Sequence, residues 1–260
     1  MKRVIALICA AAIALAACGG DSDDTADAEL PPPSSTTTEP VTPSTTTTTS
    51  ETATTTTSTT STTVPGVAGQ PHDLWVPQPD ESARVGVVGV RHDDTLNVRS
   101  GPGVSFDVLA TLDPTFDRIT GTGSAWQLPS GEVWWQIDVG VVGWANQRFM
   151  SRLGEVDDVT SVIVDRVGET PRAETMLDLG LIAVDAFAGF EVATVVVSEA
   201  PTVGDLGEIT LDVVGVGDDS VGGFRLHVFG QPTQGGEGFS LMAVEATSFC
   251  QRGVDDGRCI

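Results

Sequence analysis

The segment Leu96-Asn97-Val98-Arg99-Ser100-Gly101-Pro102-Gly103 alternates apolar and polar side chains and then breaks into a turn. Leu96 and Val98 share one face of a short strand, while Asn97 and Arg99 share the other. Proline presets φ at the first central position of the turn, and glycine supplies the positive φ that a type II turn needs at the second. The same texture extends in both directions. Val85–Val90 reads as a strand closed by a turn at Asp93-Asp94. Asp107–Leu112, Arg118–Gly121, Val133–Val139 and Val141–Ala145 read as strands, and Thr122–Glu132 reads as a long loop carrying Trp126. Six short strands in about 70 residues, with no helical period, predict a small β-barrel.

Several of these motifs, in this order, resemble bacterial SH3 domains. The Leu96–Gly103 stretch is similar to the opening of that family. Phe106-Asp107-Val108-Leu109-Ala110-Thr111-Leu112 resembles its second strand, and Trp134-Trp135-Gln136-Ile137 its aromatic strand. Gly143-Trp144-Ala145-Asn146 resembles its Gly-Trp-Val ending. The chain departs from the family in its Thr122–Glu132 loop and in having no tyrosine. The resemblance implies a non-catalytic module that binds cell-wall peptidoglycan peptide or an exported protein.

Tryptophan is enriched at binding hot spots. Asn97, Arg99, Trp126, Trp135 and Asn146 are therefore the candidate ligand-binding residues. Trp134 and Trp135 must point to opposite faces of their strand, which predicts one in the core and one on the surface. Trp144 is expected in the core. Trp126 is the groove candidate, and its loop the expected seat of specificity.

Beyond this unit, Val159–Asp165 reads as a strand. Thr170-Pro171 reads as an N-cap followed by proline, opening a helix to about Phe187 with Met176, Leu177, Ile182, Ala183 and Phe187 inward. Strands are expected at Glu191–Ser198, Glu208–Val216, Phe224–Gly230 and Phe239–Thr247. Phe224, Leu226 and Val228 alternate with Arg225 and His227. His227 is expected on a solvent-facing strand surface, and Asp218-Asp219-Ser220 in a hairpin turn. The fold class is thus mainly β: a small SH3-like barrel at 85–154, then an α+β domain at 156–260 with one helix on an antiparallel sheet.

The N-terminal quarter has another character. Lys2-Arg3 precede an uncharged run from Val4 to Ala17, shorter than the ~20 residues a membrane-spanning helix needs. It reads as a secretory signal at 1–17. Leu15-Ala16-Ala17-Cys18 resembles the bacterial lipobox, which implies lipidation of Cys18 and export to the outer face of the cell membrane. Residues 18–84 hold an acidic patch, Pro31-Pro32-Pro33 and long threonine runs. With so little to bury, this stretch is expected to be a disordered tether with an end-to-end distance of roughly 45 Å. Its Thr/Ser/Pro density also fits O-glycosylation.

The formal net charge is -23. Loss of Lys2 and Arg3 takes the basic residues from 13 to 11 and the charge to -25. Such a chain repels phosphate backbones, so no nucleic-acid partner is expected. Cys250 and Cys259, with eight residues between them, read as a disulfide in an exported protein. Three scattered histidines and no further nearby cysteines offer no zinc set, so neither metal nor cofactor is expected. No nucleophile elbow occurs. The leading reading is a non-catalytic surface lipoprotein. Its rivals are an envelope enzyme with chemistry in the C-terminal domain, and a structural or sensory partner in an envelope complex.

Overall fold

The computed structural model describes residues 66–189, 193–216 and 219–260, all within one compact unit, Thr57–Ile260. The expected leader, the expected lipidation position Cys18, the threonine runs and Asp218 lie outside the described residues. Among the described residues the chain is mainly β, with fifteen strands and two α-helices. In chain order they begin with β1 (Gln70–Pro71), β2 (Arg84–Val87), β3 (Leu96–Arg99), β4 (Val108–Leu112) and β5 (Thr120–Gln127). Next come β6 (Val133–Asp138), β7 (Val142–Asn146), β8 (Met150–Asp158), α1 (Thr160–Val167), β9 (Arg172–Ala173) and α2 (Met176–Ala188). The last are β10 (Thr194–Thr202), β11 (Gly207–Val214), β12 (Val221–Pro232), β13 (Phe239–Cys250), β14 (Val254–Asp255) and β15 (Arg258–Cys259).

Six strands curl into a half-barrel in the order β1-β5-β6-β7-β3-β4. Leu96 and Val98 face its core with Trp135, Ile137, Ala145 and Met150, as the alternation predicts. A second antiparallel sheet runs β10-β11-β12-β13-β8-β2, with β9 attached to β13. One of its faces presents Ile209, Leu211, Val213, Leu226, Val228 and Val244 to the two helices, forming the larger core. The alternation of Leu226 and Val228 with Arg225 and His227 sends those polar side chains to the opposite face.

The boundary expected between Gly154 and Val156 falls inside β8, which pairs with β2 along its first half and with β13 along its length. The strand expected at Val85–Val90 is shorter and joins this second sheet, because Arg84–Val87 finds Met150–Leu153 as its partner. Strands β2 and β8 of this sheet thus also send Val85, Val87 and Met150 into the half-barrel core, and Val88, Leu153 and Phe249 pack as an apolar seam.

Two helices cover the sheet where one is expected. The β-branched run at 160–167 forms α1 rather than a strand. Thr160 N–H donates to Asp158 Oδ1 at 2.9 Å at its start, and Gly168 takes a left-handed conformation at its end, so both ends are capped and Ile163 buries completely. Helix α2 opens at Thr175 rather than Thr170. The Thr175 hydroxyl accepts from Asp178 N–H and donates to the Asp178 carboxylate, a reciprocal cap. Pro171 instead lends its carbonyl to Leu241 N–H, and Arg172-Ala173 pairs with β13. The later start turns the buried face to Met176, Leu179, Gly180, Ala183 and Val184, leaving Leu177 exposed. A Cβ on Gly180 would sit 2.6 Å from Leu211 Cδ1, so glycine lets the helix press onto the sheet.

Candidate functional site

The antiparallel register of the half-barrel puts Trp126 opposite Trp134, and Trp134 opposite Asn146. A second row places Gln136 opposite Trp144 and Trp144 opposite Arg99. Directly opposed residues project to the same side of a sheet. The tryptophans of this outer face, Trp126, Trp134 and Trp144, form their own buried cluster with Val67 and Leu128 against it.

Next to that cluster is a cavity of about 330 Å³. Asn97, Arg99, Asn146 and Trp134 line one side, Val104 contributes from the turn, and the Gly89–Leu96 stretch forms the other wall. Arg99 Nη1 donates to the Phe106 carbonyl at 2.8 Å, which ties the strand to the turn after it. Asn146 Oδ1 accepts from Arg148 N–H at 3.0 Å, and its amide donates to Glu132 at 3.4 Å. The half-buried Asn97 carboxamide has no side-chain hydrogen bond among the described residues. It therefore offers a donor and an acceptor together, the complement of a peptide group. Arg91, on the far wall, makes two hydrogen bonds to Asp93 at 2.9 and 2.7 Å. Those hydrogen bonds hold the Asp93 carboxyl below the usual carboxylate range.

Three of the five expected ligand residues, Asn97, Arg99 and Asn146, thus meet at one cavity. The other two do not. Trp126 is not in a loop: β5 runs to Gln127, and the side chain is only 4% exposed. Its indole N–H donates to the Ala68 carbonyl at 3.3 Å, and Pro71 pairs opposite it. The expected Thr122–Glu132 loop shrinks to the turn after Gln127, because Ala125–Gln127 pair with Val133–Trp135. Trp135 points to the barrel core and borders a different cavity of about 380 Å³. Trp134 and Trp135 do face opposite ways, yet both are 3% exposed. The expected surface tryptophan is covered because Val67 and Leu128 pack on the Trp126–Trp134–Trp144 cluster, residues 66–83 lying against the barrel rather than in the expected tether. Trp134 and the Gly89–Thr95 wall were the parts that sequence reasoning missed as site components. The Trp134/Asn146 register would have pointed to the former.

His227 lies on the strand face turned away from the helices, as expected, but its side chain is only 32% exposed. It lies 3.3 Å from Glu208 and 4.0 Å from Glu245, on Phe229 with ring centroids 4.1 Å apart. It borders a cavity of about 290 Å³ lined by three threonines but by no serine or cysteine. Among the described residues, no three His, Cys, Asp or Glu side chains converge to hold a metal ion, and no helix is long and apolar enough to cross a membrane. The Cys250 and Cys259 sulfurs stand at bonding distance, with Cα atoms 4.9 Å apart. Compared with protein-family models, with characterised proteins and with solved structures, the chain has no significant match.

Proposed function

We propose that this protein is a non-catalytic surface lipoprotein whose half-barrel, of the bacterial SH3 kind, binds a cell-wall peptide in the Asn97–Arg99–Asn146 cavity. Exported, it is held by acyl chains on Cys18, with the threonine-rich stretch as spacer and a Cys250–Cys259 disulfide closing the C-terminus. The observation that carries the binding reading is the unpartnered Asn97 carboxamide beside Arg99 and Trp134, in a cavity of about 330 Å³. An open amide reads a peptide bond, a guanidinium meets a carboxylate, and an indole wall excludes water from both.

The test is co-sedimentation with purified insoluble cell wall. The wild-type chain is expected in the pellet, and a folded Asn97→Ala/Arg99→Ala variant largely in the supernatant. Wild type left in the supernatant defeats the wall-peptide reading and leaves an exported protein as the partner to seek. Soluble wall fragments released by the wild type would establish the enzyme alternative instead. Anchoring is tested separately: Cys18→Ser is expected to move the chain from the membrane fraction to the medium, and unchanged fractionation would overturn it.

A further inference from the structure

The loop from Val88 to Thr95 belongs by sequence to the half-barrel, and Val88 N–H donates to the Phe149 carbonyl there at 3.0 Å, yet the hydrogen bonds of Gly89 and His92 lead to the other sheet. Gly89 N–H donates to Asp212 Oδ2 at 2.8 Å, across 123 positions of chain. His92 N–H donates to the Val197 carbonyl on the edge strand β10 at 2.9 Å. Arg225 Nη2 reaches the carbonyls of Val87 at 2.8 Å and of Pro114 at 3.0 Å. Asp212 and Arg225 face each other across β11 and β12. They are joined twice, Nε to Oδ1 at 2.8 Å and Nη2 to Oδ2 at 2.9 Å. The Ser198 hydroxyl adds a donor to Asp212 Oδ1 at 3.2 Å. Asp212 has no exposed surface. Its position within this network is over-determined, and whatever it holds is held rigidly.

What it holds is a wall of the cavity. Gly89, Val90, Arg91, Asp94 and Thr95 line the side opposite Asn97 and Arg99. Among the described residues one backbone-to-backbone hydrogen bond, Asp94 N–H to the Arg91 carbonyl, lies inside the loop itself, beside the Arg91–Asp93 pair and Thr95 N–H on Asp94 Oδ1. We infer that the C-terminal sheet is the positioning half of the binding site, with Asp212 as the positioning residue that sets the Gly89–Thr95 wall against the barrel. This rests on the cavity being the binding site. It gives the C-terminal domain a role in recognition without any contact to ligand, and it makes the half-barrel by itself an incomplete binder.

The experiment combines hydrogen exchange with wall co-sedimentation on the full chain. In the wild type, the Gly89 and His92 amides should exchange as slowly as those of β11. Exchange of Gly89 at the rate of an exposed turn would overturn the proposal without any variant. In Asp212→Asn, protection should fall selectively at 89–95 while Val98, Ile137 and Leu226 keep theirs, and affinity for purified cell wall should drop about five- to tenfold. An even loss of protection throughout would mean a merely structural role. Should that variant not fold, Ser198→Ala, which removes one donor to Asp212, should lower protection at 89–95 to a smaller degree. No change there would count against the proposal. Selective loss at 89–95 with unchanged wall affinity would also overturn it. A wild type that never binds wall defeats the functional reading, while the exchange pattern still decides the positioning.

Discussion

Two segments flanking β2 are fastened by the same device. Residues 66–83 are held where Arg152 grips Glu81 with two nitrogens and donates to the Trp75 carbonyl at 2.9 Å. The 88–95 loop is held where Arg225 grips Asp212 with two nitrogens. The arginines are comparably buried, but the carboxylates differ: Glu81 is 20% exposed and Asp212 is 0% exposed. Glu81 also accepts from Gln78 N–H within its own segment, whereas Asp212 accepts from Gly89 in the loop after β2, 123 positions away. One clasp therefore fastens a strap at the rim, and the other is a lock that ties the C-terminal sheet to the 88–95 loop and, through the Pro114 carbonyl, to the half-barrel. A charge taken from water must be matched by complementary groups, so burial of the carboxylate goes with the number of partners it gathers.

That contrast can be broken most directly at Asp212. Asp212→Ala leaves Arg225 without its counter-ion, and a loss of about 3–5 kcal/mol is expected in denaturant unfolding. Because β2 and β8 of the C-terminal sheet also pack Val85, Val87 and Met150 into the half-barrel core, the wild type should unfold in one transition, and separate transitions for the sheets would contradict that common packing. Glu81→Ala is expected to cost less, about 2–3 kcal/mol, since its site is partly solvated. Its signature is local: cleavage within 66–83 by a protease should appear, with a red shift of tryptophan emission as Trp126 loses its cover. An Asp212-sized loss at Glu81 would abolish the distinction between strap and lock.

The proposed disulfide at the far end ranks third. Reduction of Cys250–Cys259 should cost about 2 kcal/mol, the amount expected for so short a closed loop, and an unchanged melting temperature would show that the tail is held without it. The smallest effect belongs to an exposed carboxylate. Hydrogen bonds from Thr160 lower the Asp158 pKa in the folded chain. Its contribution is therefore present above the pKa of the unfolded chain and lost as pH falls through the folded one. Asp158→Asn should lower the melting temperature slightly at neutral pH and not at all at strongly acid pH. A difference that persists in acid would rule out the charge as its cause.

Much of the half-barrel was legible. Leu96 and Val98 inward, Asn97 and Arg99 outward, and Trp134 opposed to Trp135 follow from strand alternation alone. The Thr175–Asp178 cap was also present in the letters, but Thr170-Pro171 offered a competing start. Helix α1 was hidden behind β-branched residues whose strand propensity lost to capping at both ends and to the burial of Ile163. The Trp126 site failed for a different reason. Its neighbours Thr122, Gly123 and Ser124 read as a loop, while the pairing that makes this stretch a strand comes from β6 and from Gln70-Pro71.

Alternation, turn chemistry and charge composition act over a few residues, and through them the chain settles its class, its strand inventory and which side of each strand meets the core. Sheet membership of β2, the strap at 66–83 and the Asp212–Arg225 lock depend on partners roughly 65 to 140 positions away. No local pattern encodes such partners. A buried charge is stable only where several distant donors and acceptors converge, and that convergence exists only once the two sheets have packed.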